Sequence, residues 1–190
     1  MNIPQKEPID QQEDKSQAQL DYEQGLEHLE NEELTLAANM FHNALIGYEL
    51  DDNEHGIANA AARLGDVCHH NQEYDKALEH YERAYKICQK ESDRFSLFTL
   101  EQKQARLYLE KEDYKEALRR YVEVMDEFEA LRNPGGVVNT LEILAEIYLK
   151  IGDKDNAAEA YKTAASIHKN FKHVDVADEL MQKAEDIKTS

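Results

Sequence analysis

The chain has 190 residues, a formal net charge of −18, and a composition that is 33% charged and 41% hydrophobic, with only 7 Gly and 3 Pro. That profile suits helices, because breakers are few and good helix formers many. The negative charge disfavours nucleic acid and anionic membrane surfaces as partners, and no run of apolar residues is long enough for a membrane span.

Residues 1–17 hold two prolines and few apolar side chains, which predicts a disordered acidic tail. It lacks the basic-then-apolar layout of a signal peptide, so a cytoplasmic protein is expected. The two cysteines, Cys68 and Cys88, are too few for a disulfide framework and suit a reducing compartment.

From Ala18 onward apolar residues recur at three- and four-residue steps, the helical period. A small–aromatic–small pattern then repeats every forty residues. It runs Ala37/Phe41/Ala44, Ala77/Tyr81/Ala84, Ala117/Tyr121/Val124 and Ala157/Tyr161/Ala164. Twelve residues before each leading alanine stands another small residue: Gly25, Gly65, Ala105 or Ala145. Two sets sharing one period predict four copies of one unit, at residues 18–52, 53–92, 93–132 and 133–172. In the second copy the periodicity predicts one helix from about Ile57 to His70 and another from Tyr74 to Lys90. Glu33, Glu73, Asp113 and Asp153 recur where an acid can face the positive end of each second helix. Asp52-Asn53, Ser92-Asp93 and Asn133-Pro134-Gly135-Gly136 mark turns between copies. Residues 173–190 read as one further amphipathic helix that covers the end of the stack.

The spacing has a mechanical meaning. Small residues on both helices let two backbones approach closely, and the aromatic fills the wedge towards the next hairpin. Repeats one and three carry Asp21/Gln24 and Glu101/Gln104 where the even repeats carry Ala61/Leu64 and Leu141/Leu144. Their interiors are expected to be looser, or their helices rotated.

These residues resemble the tetratricopeptide repeat, most closely at Leu64-Gly65, Cys68, Tyr74, Ala77, Tyr81 and Ala84. The forty-residue spacing is similar to the longer-helix subclass of that family. The resemblance implies an all-α, right-handed α-solenoid of four helix-turn-helix hairpins with a C-terminal capping helix. It also implies a non-enzymatic module that binds a protein or peptide segment in a concave groove lined by the first helices. Groove positions carried over in this way are Tyr22 and Leu26, then Asn59, Arg63, Asp66 and His69. Gln102, Lys103 and Arg106 follow in the third copy, and Asn139, Glu142 and Glu146 in the fourth. The middle of this set is basic at Arg63, Lys103 and Arg106, its first end apolar and its last acidic. A guest with an acidic centre, an apolar end and a basic end would complement it. The clamp by which some family members hold a C-terminal carboxylate is not expected, since of its slots only Lys103 keeps the charge. Self-association as a structural scaffold is the alternative.

No cofactor or metal is expected. Adjacent His69 and His70 point about 100° apart on a helix and cannot easily share an ion. Cys68 and Cys88 read as small buried hydrophobes. No phosphate-binding glycine loop or nucleophile elbow is present.

Overall fold

A computed structural model describes residues 15–189. The expected N-terminal tail lies outside the described residues up to residue 14. The described chain forms nine α-helices: α1 (Gln17–Glu30), α2 (Leu34–Leu50), α3 (Glu54–His70), α4 (Tyr74–Glu91), α5 (Arg94–Glu110), α6 (Tyr114–Ala130), α7 (Pro134–Lys150), α8 (Lys154–Asn170) and α9 (Val174–Thr189). Each packs chiefly on its neighbours in sequence, so the fold is an all-α helical-repeat solenoid. Among the described residues no helix is long and apolar enough to cross a membrane.

The links between helices carry a finer period, of twenty residues. Glu32, Asp52, Gln72, Ser92, Glu112, Arg132, Gly152 and Lys172 all have positive φ. In every link the amide one residue later donates to the carbonyl five residues before it, as in Glu33 to His28 (2.8 Å) and Asp153 to Tyr148 (2.8 Å). This closure satisfies the carbonyls that a helix end would orphan. Glycine serves only Gly152, so the other links hold an L-residue in the left-handed region.

The same link positions start the next helix. Asn53, Asp93, Asp113, Asn133 and Asp153 each accept a backbone N–H three residues on. Glu33 and Glu73, expected to act alike, make no such bond. Their longer side chains turn instead to His28 and Lys76. Ser16 caps α1 through the amide of Gln19 (3.2 Å), and the Asn133-Pro134 turn is the cap and first residue of α7.

The repeated aromatics, expected to fill the wedge towards the next hairpin, lie instead directly on the small residue of their own hairpin where that residue is glycine. A Cβ on Gly25 would lie 2.7 Å from the Phe41 ring, and one on Gly65 would lie 2.5 Å from Tyr81. Phe41 and Tyr81 are 0% exposed, whereas Tyr121 and Tyr161, facing Ala105 and Ala145, are 7% and 6% exposed. A second complementary pair seals neighbouring hairpins. Tyr48 rests on Gly56 and Phe128 on Gly136. At the equivalent place in the second copy stand the smaller Cys88 and Ser96, both lining the cleft between α3 and α5.

The polar interior of the third repeat is paired, not loose. Gln104 is 2% exposed and accepts from Arg120 Nη1 (2.9 Å), while half-buried Glu101 accepts from the Tyr85 hydroxyl (3.2 Å). In the first repeat Gln24 is exposed, and among the described residues no hairpin precedes α1.

Candidate functional site

The odd-numbered helices line three adjoining clefts. The first, about 320 Å³, lies between α3 and α5 beneath Tyr22, and its walls include Asn59, Arg63, Asp66, Phe95 and Lys103. A second, about 350 Å³, lies between α5 and α7 and is lined by Gln102, Lys103, Arg106 and Asn139 over Tyr121 and Phe128. A third, about 300 Å³, sits at the far ends of α3 and α5 between His69, Arg106 and Glu110. Lys103 belongs to the first two clefts and Arg106 to the last two, so the three form one continuous surface.

Tyr22, Asn59, Arg63, Asp66, His69, Gln102, Lys103, Arg106 and Asn139 are thus brought together. Leu26 packs against the first core cluster instead. Glu142 and Glu146 line none of these clefts. Phe95 and Glu110 were missed by sequence reading. Phe95 is 81% exposed at the first cleft, and a lone aromatic near a helix start gives no periodic signal.

The electrostatics differ from the basic centre that the residue types suggest. Asp66 is a hub on the cleft floor. It accepts from the Tyr81 hydroxyl (2.7 Å) and from Arg63 Nη1 (3.1 Å), and it pairs with Lys103 of the next hairpin. Arg63 Nε also reaches the Tyr22 hydroxyl of the preceding hairpin (3.4 Å). Glu110 plays the same part further along, accepting from Arg106 Nε (2.7 Å) and lying 2.6 Å from His69 Nε2. The centre therefore alternates in sign, with each cation held by an internal carboxylate.

Burial shapes these groups. It raises the Tyr81 hydroxyl pKa, and the Asp66 carboxylate raises it further, so the hydroxyl remains a donor. Burial alone would raise the Glu110 carboxyl, but the hydrogen bonds from Arg106 and His69 outweigh it and hold Glu110 below the usual range. Burial works against a charged Arg63, yet Tyr22 and Asp66 more than offset it. The partners span three hairpins, so these polar contacts also fix the repeats relative to one another. Their arrangement offers preset donors and acceptors to a polar chain laid across α3, α5 and α7. Among the described residues no group of three or more metal-ligating side chains gathers.

The tetratricopeptide repeat profile matches residues 56–130 and 95–170. No curated protein matches the chain in sequence. Among solved structures, the apo form of RapI is 13% identical, with a TM-score of 0.76, over 92% of this chain and 65% of that one. BtubC from P. vanneervenii is 16% identical with a TM-score of 0.63, over 87% of this chain and 77% of that one. A Rap protein solved with competence and sporulation factor is 17% identical with a TM-score of 0.60, over 88% of this chain and 48% of that one. At these identities the likeness is one of fold.

Proposed function

Because the chain belongs to the tetratricopeptide-repeat family, we propose that it is a protein-interaction module holding an extended peptide or protein segment across α3, α5 and α7. The observation that carries this reading is the continuity of the three clefts through Lys103 and Arg106. An extended segment exposes backbone N–H and C=O groups on both sides. The side-chain amides of Asn59, Gln102 and Asn139 can donate to and accept from it. Arg106 keeps 67% of its side chain exposed while paired with Glu110, so its guanidinium remains available to a partner. Phe95 adds an apolar contact at the first cleft. Ordering these groups in advance lowers the entropy lost on binding. A Rap conjugation gene regulator solved in complex with the Phr* peptide, of similar fold, supports a peptide as the class of partner. The forty-residue spacing supports the family's longer-repeat subclass.

The alternating charge revises the guest. Asp66 and Glu110 would repel a continuous acidic centre, so a segment with separated polar groups fits better than an acidic block.

Open-ended self-assembly draws less support. The slots that are buried between hairpins at Leu64/Val67, Gln104/Leu107 and Leu144/Ile147 hold exposed Gln24 and Glu27 in α1. In α9 the slot of Ala105 and Ala145 holds exposed Glu185. Gln24, Glu27 and Glu185 thus place polar groups where a further hairpin would need apolar contact, although α9 also exposes Val174, Val176 and Met181.

The test is selection from a displayed library of short random peptides, using the wild type and an Asn59→Ala/Asn139→Ala variant of unchanged melting temperature. Enriched peptides should share a pattern and bind the variant at least tenfold more weakly. Absence of enrichment, or equal binding by the variant, would remove the reading.

A further inference from the structure

The link closure repeated every twenty residues has a chemical consequence. It ties the residue at the last turn of each helix to the residue five later by a backbone hydrogen bond. Across the eight links these pairs are His28/Glu33, Tyr48/Asn53, Cys68/Glu73, Cys88/Asp93, Tyr108/Asp113, Phe128/Asn133, Tyr148/Asp153 and His168/His173. Only the last pairs two imidazoles, whose ring centroids lie 5.5 Å apart with the planes tilted by 50°. The His173 amide donates to the His168 carbonyl (3.0 Å), which fixes the two backbones. The two Nδ1 atoms then lie 3.3 Å apart.

We propose that His168 and His173 form a two-histidine site for a nitrogen-preferring divalent transition-metal ion, of the Zn²⁺, Ni²⁺ or Cu²⁺ kind. Two nitrogens bound to one zinc at about 2.0–2.1 Å, at the tetrahedral angle, are separated by about 3.3–3.4 Å. The observed separation of 3.3 Å matches that distance. The equivalent His28/Glu33 pair, at 2.6 Å, is a direct hydrogen-bond contact and too close for two ligands of one ion. The apolar walls of Ile167, Val138 and Pro134 shield one side of the pair, and the Phe171 ring stacks on His173. His173 is exposed and His168 half-buried, so an ion can enter from solvent.

No third histidine, cysteine or carboxylate completes the pair among the described residues. Water, or a side chain of a bound partner, supplies the remaining positions. Imidazole ligands select zinc, nickel and copper over magnesium and calcium, which take oxygen ligands. In the ion-free pair one Nδ1 carries the proton shared in the hydrogen bond. Ion binding moves that proton to Nε2 of the same ring through solvent, leaving both Nδ1 lone pairs on the ion. This site borders the proposed peptide face, since its pocket shares Asn139 with the cleft between α5 and α7, but neither histidine lines any of the three clefts.

The experiment titrates Zn²⁺ into the full chain, without a histidine tag and in millimolar Ca²⁺ to occupy surface carboxylates. Calorimetry measures binding, and two-dimensional NMR follows the histidine ring signals. One ion per chain should bind, with the largest ring shifts at His168 and His173. His168→Ala and His173→Gln, each of unchanged melting temperature, should each weaken binding at least tenfold. A His69→Ala/His70→Ala variant should bind as the wild type does. Binding that survives either single substitution, or a wild type that takes up no Zn²⁺ in Ca²⁺, would overturn the site.

Discussion

Gly65→Ala tests the packing rule on which the whole stack rests. The added Cβ would sit 2.5–2.6 Å from two carbons of the Tyr81 ring. That is well inside contact distance, and Tyr81 is fully buried, so something must shift. Overpacking of this kind costs about 1–3 kcal/mol. Replacing glycine inside a helix returns about 0.8–1 kcal/mol of propensity. The ring also holds its hydroxyl on Asp66 at 2.7 Å. Moving it outward strains a charged hydrogen bond of about 1.5–3 kcal/mol. The net expectation is a loss of about 1–3 kcal/mol. For a chain of this size each kcal/mol is worth about 2–4 °C, so the melting temperature should fall by about 2–12 °C. Circular dichroism on heating reads it directly. Gly135→Ala is the control, because its Cβ would meet only Asn133 Oδ1 at 3.5 Å. That variant should be neutral or slightly stabilised. If Gly65→Ala melts at or above the wild type, the slot is not a close-packed contact and the reasoning fails.

Gly152→Ala should lose about 1–2 kcal/mol for a different reason: its φ is +81° and nothing lies within 4 Å of the new Cβ, so the penalty is conformational and not steric. A melting temperature unchanged within error would mean the link relaxes freely. Glu101→Gln should raise the melting temperature at pH 7. Burial holds the Glu101 carboxyl above its usual range, with the neighbouring Glu127 and Glu123 adding to the effect and the Tyr85 hydroxyl opposing it. Its raised folded pKa means that protonation stabilises the fold at low pH, and that this contribution is lost as pH rises through the folded value. The gain from glutamine should therefore shrink as pH falls towards 4, and a gain independent of pH would contradict the assignment. Ala117→Leu, at a position fully buried between α5 and α6, should cost about 1–3 kcal/mol by overpacking, read as a lower midpoint in urea.

Much of the architecture was legible because its determinants recur. Gly25, Gly65, Ala105 and Ala145 announce close helix approach, but the rings of Phe41 and Tyr81 lie on the glycine of their own hairpin and not in the wedge towards the next. The helix ends were less so. Glu33 and Glu73 resemble Asp113 and Asp153 in charge, but their extra methylene goes with a different choice of partner. The left-handed links were hidden because Glu, Gln, Ser, Arg and Lys carry no preference for that conformation, and Gly152, with Asp52 more weakly, signals it. The groove residues could be named by their place in the repeat, but their electrostatic state could not. Arg63 and Lys103 look like free cations until α5 is set beside α3 and Asp66 is seen between them. The His168/His173 pair was invisible for a related reason. Five residues apart is not a helical neighbour spacing, and only the link closure ties the two residues together.

The central claim is that α3, α5 and α7 form the binding face. Hydrogen–deuterium exchange of the chain, with and without a library-selected peptide, tests it most directly. Protection should concentrate on residues 59–66, 99–106 and 139–143 and leave the outward turns of α2, α4 and α6 unchanged. Protection confined to those even-numbered helices, or to the inter-hairpin links around Leu50 and Leu131, would contradict it.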